Sequence, residues 1–297
     1  MFQSIRDIEL AVRKQKVKKK LVLAAAHDEH ALIAVLAAAK AGYIDPVLVG
    51  NKKKIQKILD EQEYSSKSLE VINQDDVQLA VQESVRLVST GYAQILMKGA
   101  CNTAELLRGV LKKEGGLRTE SLLSHFALFE LNNYHKLLSV SDVAISIAPS
   151  LDEKMMILKN AVSFLRSIGT QKPKVAVIAA VEKVNDNMPA TLDAASLVEM
   201  NRLGVISDCI VDGPLAFDNA ISRESALLKG ITGEVAGDAD LLIMPQIESG
   251  NILYKALTIL ANARVAAVVL GAKAPIVLTS RADSSISKLN SIMLAAV

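Results

Sequence analysis

Short apolar runs of four to seven residues alternate with longer segments of helical period along the chain, and few folds admit that alternation. A run of that length suits a strand buried on both faces, and a helix between two such strands is the crossover that a parallel pair requires. The pattern therefore predicts βα units and a mostly parallel sheet, an α/β fold. Strands are predicted at 21–26, 47–49, 69–72, 95–97, 122–128, 143–147, 175–180, 209–211, 241–244, 266–270 and 276–278, and helices at 29–41, 75–89, 103–113, 151–168, 190–202 and 250–263. With 297 residues, the chain is better divided into two lobes than packed around one core. Gly115-Gly116 and the stretch Gly271 to Pro275 are the breaks, which places the first lobe at 1–122 and the second at 123–269.

Composition narrows the function classes. Hydrophobic residues make up 51% of the chain and aromatic ones only 3%, so the interior is built from Ala, Val, Leu and Ile. The 34 basic and 32 acidic residues leave a net charge of +2, no global field for nucleic acid or an anionic membrane. A polyanion would have to be met locally. Cys101 and Cys209 have neither metal-ligand nor redox spacing and are expected to be small core residues of a cytoplasmic protein. The basic run from Arg13 to Lys20 followed by Leu21 to Ala26 imitates a secretory leader, but His27, Asp28, Glu29 and His30 end its apolar part after six residues. No segment approaches the roughly 20 apolar residues of a membrane span.

Neither GxxxxGK[ST] nor a GxGxxG turn occurs, and the series Gly230, Gly233, Gly237 is too irregular to replace them, so nucleotide hydrolysis and dinucleotide binding lack their usual support. His27 and His30 are three apart where a helical zinc pair needs four, and no metal site is expected. Three strand-to-helix junctions are more informative. After Met97, the residues Lys98-Gly99-Ala100-Cys101-Asn102-Thr103 lead into a helix with Asn102 and Glu105 at capping-box spacing and Arg108 further along. Bare N–H groups and a lysine suit phosphate there; a capped helix with a solvated arginine is the plainer alternative. After Met244, Gly250 permits close approach of a ligand to the backbone, and Asn251 and Lys255 share one helical face. Lys255 could equally snorkel from a packed helix. After Leu278, Ser280 and Asp283 fit an N-cap with its reciprocal acid, but Arg281 at a helix N-terminus opposes the dipole and calls for an anionic partner. Open α/β sheets bind ligands at this strand end.

Taken together, Met97-Lys98-Gly99 with Asn102 to Arg108, Asp212-Gly213-Pro214 with Leu215 to Ala220, Gly250 to Lys255 and Thr279-Ser280-Arg281-Ala282-Asp283-Ser284 resemble the phosphate acetyl/butyryl transferase family. The segments Ala24 to His30 and Met188 to Ala194 fit its butyryltransferase branch. The resemblance implies two α/β lobes of the isopropylmalate-dehydrogenase type, residues 270–297 rejoining the first lobe, and an active-site cleft between lobes. It implies a homo-oligomer that moves a short acyl group, butyryl favoured, between coenzyme A and inorganic phosphate. No cofactor is implied beyond coenzyme A as substrate, and the partners are acyl-coenzyme A and acyl phosphate. Ser280, Arg281 and Arg108 map onto catalytic positions of the acetyltransferase branch. Lys98, Gly99, Thr103, Gly250, Asn251, Lys255, Asp283 and His27 are the expected substrate contacts. The acidic residue that the acetyltransferase branch carries seven positions after its serine is Ser287 here. Competing expectations are a phosphate acetyltransferase, a two-lobed hydroxy-acid dehydrogenase and a non-catalytic coenzyme A-binding protein.

Overall fold

The computed structural model describes residues 2–65, 69–280 and 283–297. It is an α/β protein whose chain divides into two compact units. One, the split unit, joins Arg6–Ser121 to Ala266–Val297; the other, the central unit, holds Leu122–Val265 and the residues up to Ile5.

Most of the split unit is built first. Helix α1 (Ile5–Arg13) buries Ile5, Ile8 and Val12, an amphipathic spacing, and leads to β1 (Lys19–Ala24). Asp28 caps α2 (Glu29–Lys40), whose Ala- and Leu-rich face is buried before β2 (Ile44–Gly50). Asn51 caps α3 (Lys52–Glu61), and β3 (Glu70–Asn73), α4 (Val77–Ser89), β4 (Ile95–Lys98) and α5 (Thr103–Val110) follow.

The chain then enters the central unit with β5 (Ser124–Glu130), β6 (Leu138–Ser141), α6 (Leu151–Ser167), β7 (Lys174–Ile178) and α7 (Pro189–Arg202). Next come β8 (Ile210–Leu215), the short α8 (Phe217–Ile221) and α9 (Arg223–Leu228), β9 (Leu241–Ile243) and α10 (Ile247–Lys255). Its strands run in the order β5-β6-β9-β7-β8, all parallel neighbours except β5 and β6.

After a π turn over Ala256–Leu260, β10 (Arg264–Leu270), β11 (Ile276–Val277) and α11 (Ser285–Ala296) return to the split unit. Its strand order is β3-β2-β1-β4-β11-β10, parallel except for β11 against β10. Among the described residues no helix is long and apolar enough to cross a membrane.

Two expectations need correction. Residues 143–147 are not a strand: the Asp142 carboxylate accepts from the N–H groups of Ala144, Ile145 and Ser146 at 2.7, 3.0 and 3.3 Å and curls the segment into a turn. The strand is Leu138–Ser141 instead, buried throughout. The helix expected over 250–263 starts three residues earlier and gives way to the π turn after Lys255.

Candidate active site

Within the split unit, β1, β4 and β11 are neighbours, and the junctions after all three open at their carboxyl ends. The chain thus brings His27, the Lys98-Gly99 turn and the Ser280–Asp283 segment to one sheet edge, with the N-termini of α2, α5 and α11 behind them.

The first two junctions are fastened together. Gly99 N donates to Ala24 O at 2.9 Å and Ala100 N to Ala25 O at 2.8 Å. A Cβ on Gly99 would lie 2.5 Å from both of those carbonyl oxygens, so glycine is required for the loops to meet. Lys98 Nζ donates to Gly99 O and Cys101 O, each at 3.3 Å, two acceptors for an ammonium that carries three protons. Asn102 and Glu105 close the expected capping box: Glu105 N donates to Asn102 Oδ1 at 2.7 Å and Asn102 N to Glu105 Oε2 at 3.1 Å. Thr103 opens α5 and is exposed. Arg108 is also exposed, and its Nε donates to Ala104 O of its own helix at 3.2 Å.

At the first junction Asp28 Oδ1 accepts from Ala31 N at 2.9 Å. His27 Nδ1 is buried and, among the described residues, has no hydrogen-bond partner. Burial, helped by the charge of Lys54 and opposed by Asp28, pushes the His27 pKa below its usual value, so the imidazole is neutral at pH 7.

At the third junction the plainer alternative, an N-cap at Ser280 with its reciprocal acid, does not hold. Ser280 and Asp283 do not cap the helix; Ser284 does, accepting from Ser287 N at 3.1 Å, and α11 starts at Ser285. Asp283 Oδ2 instead accepts from Ser280 N at 2.6 Å, and Asp283 N donates to Ser280 O at 3.2 Å, so the two residues are bonded to each other twice. Arg281 lies outside the described residues. A residue missed in the sequence completes this junction: Lys288, only 3% exposed, donates from Nζ to Ser280 O at 3.1 Å and Asp283 O at 2.5 Å. Its signal was present, since Lys288 shares helical spacing with the buried Ser291, Ile292 and Ala295.

In the central unit, the junction after β9 is tightly packed. A Cβ on Gly250 would lie 2.3 Å from Asp142 O, and Asn251 Nδ2 donates to Val143 O at 3.2 Å, so both residues hold α10 against the 142–146 turn. Lys255, at the end of α10, is exposed. The cysteines are buried, and burial raises both thiols, Cys209 to about 11, which disfavours the nucleophilic thiolate.

Three helix N-termini and two lysine ammonium groups lie toward the carboxyl ends of parallel strands, the end of an α/β sheet at which such proteins bind their ligands. A family model for phosphate acetyl/butaryl transferase matches residues 65–296. Phosphate butyryltransferase of Clostridium acetobutylicum is 47% identical over 297 residues, spanning 100% of this chain and 98% of its own. Phosphate acetyltransferase of Thermotoga maritima is 43% identical over 279 residues, 94% of this chain and 95% of its own. Among solved structures, a branched-chain phosphotransacylase from Enterococcus faecalis V583 superposes with a TM-score of 0.82 at 33% identity, covering 93% of this chain and 97% of that one. The chain belongs to the phosphate acetyl/butaryl transferase family, as its motifs implied.

Proposed function

We propose that this protein transfers a short acyl group, butyryl favoured, reversibly between coenzyme A and inorganic phosphate. The observation that supports this is the parallel pairing of β4 and β11 in a chain of the phosphate acyltransferase family, since Lys98 closes the first of those strands and Ser280 follows the second. A tetrahedral dianion fits such a surface, because N–H groups and ammonium protons can face several oxygens at once.

A free thiol has a pKa of about 8.5, so a few per cent of coenzyme A is thiolate at neutral pH. The thiolate sulfur attacks the carbonyl carbon of the acyl phosphate and a tetrahedral oxyanion forms. The carbon–oxygen bond to phosphorus then breaks, and phosphate leaves with the electron pair. In reverse, a phosphate oxygen attacks the thioester. Arg108 and Arg281 hold the phosphoryl oxygens, and Ser280 donates to the reacting sulfur or the oxyanion. Lys98, Gly99, Thr103, Asp283 and His27 shape the anion site; on α10 of the central unit, Lys255 is the proposed substrate contact, with Gly250 and Asn251 as the residues that seat its helix. One preorganised donor is worth about 3 to 4 kcal/mol of barrier, while aligning two bound substrates is worth roughly 7 to 11, so orientation outweighs any single side chain. Ser287, at the position of the acetyltransferase branch's acid, hydrogen-bonds Ser284 at 2.9 Å and is no carboxylate base. The protein works in the cytoplasm as a homo-oligomer and needs no metal or organic cofactor besides its substrate.

The test is release of free thiol from butyryl-coenzyme A, with and without phosphate. Phosphate-dependent release is expected; coenzyme A binding without it would leave a non-catalytic binding protein. An absorbance change at 340 nm with nicotinamide cofactor and a hydroxy acid would point to a dehydrogenase. A kcat/KM clearly favouring acetyl- over butyryl-coenzyme A would identify a phosphate acetyltransferase.

A further inference from the structure

Lys288 is buried on α11 at helical spacing with the buried Ser291, Ile292 and Ala295, a position where an apolar side chain would be buried without desolvating a charge. Among the described residues it forms no ion pair, and its two recorded acceptors are main-chain oxygens. Those oxygens belong to Ser280 and Asp283, the same two residues joined by Ser280 N to Asp283 Oδ2 and Asp283 N to Ser280 O. Capping does not account for the lysine, because Ser284 already accepts from Ser287 N.

We propose that Lys288 is a positioning residue for acyl transfer: by donating to the carbonyls of Ser280 and Asp283 it holds this bonded pair in place, and with it the Ser280 hydroxyl that meets the reacting atoms. The inference rests on the acyl-transfer function proposed for the same edge. Lys288 touches no substrate and takes no proton. Without its ammonium Asp283 O loses the donor recorded here and Ser280 O keeps only Asp283 N, so the two residues are held less firmly and Ser280 departs from the geometry that the transition state needs.

The closing experiment is a double-mutant cycle in the phosphate-dependent thiol-release assay, using wild type, Ser280→Ala, Lys288→Met and the double variant. Lys288→Met is expected to lower kcat by about 30-fold or more with KM for the acyl-coenzyme A changed by less than about 3-fold. In the Ser280→Ala background the same change should alter kcat by less than about 3-fold, because the group being positioned is gone. Near-wild-type kcat for Lys288→Met would overturn the inference, and so would equal effects in both backgrounds, which mark a purely structural role. If Lys288→Met fails to fold, Lys288→Gln is carried through the same cycle under the same criteria, since its shorter amide cannot span both oxygens. Wild-type protein with no phosphate-dependent release would sink the acyl-transfer function itself, whereas an active wild type with an indifferent Lys288 sinks the positioning role alone.

Discussion

The two units bury their lysines in opposite ways. In the central unit Lys154 is 6% exposed and ends on Asp193 at 2.6 Å, while Lys136 ends on Asp238 at 2.9 Å and Asp240 at 2.6 Å. Lys174 joins Asp238 at 2.5 Å and His135 reaches it at 2.8 Å, so this ionic cluster at the amino ends of β6, β7 and β9 closes on itself. In the split unit Lys288, and to a lesser degree Lys98, end on main-chain oxygens at the carboxyl ends of the strands. A lysine matched by a carboxylate is neutralised by the protein. One matched by carbonyl dipoles keeps its positive field for an anion arriving from outside. The first kind fits a part in holding the fold, and the second fits the acyl-transfer role proposed for this edge.

The strongest way to break this contrast is at the split unit's edge. Arg108→Ala and Arg281→Ala are each expected to lower kcat about 100- to 1000-fold, with an unfolding temperature near that of wild type; a variant with an undiminished rate would remove that arginine from the mechanism. The opposite signature is expected in the central unit. Asp238→Asn should cost about 1 to 3 kcal/mol in urea unfolding while kcat stays within about twofold of wild type.

The pH dependence sharpens the same point. Burial alone would raise the Asp238 carboxyl, but hydrogen bonds from Lys174, Lys136 and His135 outweigh it and hold the group well below the usual carboxylate range. Its folded pKa is therefore depressed relative to the unfolded value of about 3.9, so its stabilisation is fully present above about pH 5 and drains away as pH falls below about 4. Wild type should lose stability more steeply with acid than Asp238→Asn, as followed by melting curves between about pH 6 and pH 3. Parallel curves would mean the cluster contributes nothing specific. The smallest effect is expected at Cys209: with its thiol raised to about 11 by burial, Cys209→Ala should leave kcat within about twofold.

Strands with aliphatic runs, such as β1 and β10, were legible because both faces are buried and the composition shows it. β6 was not, because Leu138-Ser139-Val140-Ser141 buries two serines and looks polar, while the more strand-like 143–147 is captured by the Asp142 carboxylate. α1 is hard to read because it is only nine residues long, with three buried apolar positions, and runs directly into the basic stretch from Arg13. Helix α3 has only Ile55, Ile58 and Leu59 to bury in a lysine-rich segment. At the site, Lys98, Gly99, His27 and Ser280 were visible as junction residues, and the parallel pairing of β1, β4 and β11 brings their loops to one edge. Lys288 is the least legible, because a lysine ordinarily faces solvent and its helical spacing with Ser291, Ile292 and Ala295 is the one sign of burial in the sequence.

The bonds from Gly99 and Ala100 to the carbonyls of Ala24 and Ala25 have a mechanical consequence. They make the loops after β1 and β4 a single stiff jaw whose ordering entropy is spent during folding, before any substrate arrives. Evolution or a protein engineer can therefore retune the grip of this edge most readily by working on its other jaw, the loop gripped by one hidden amine.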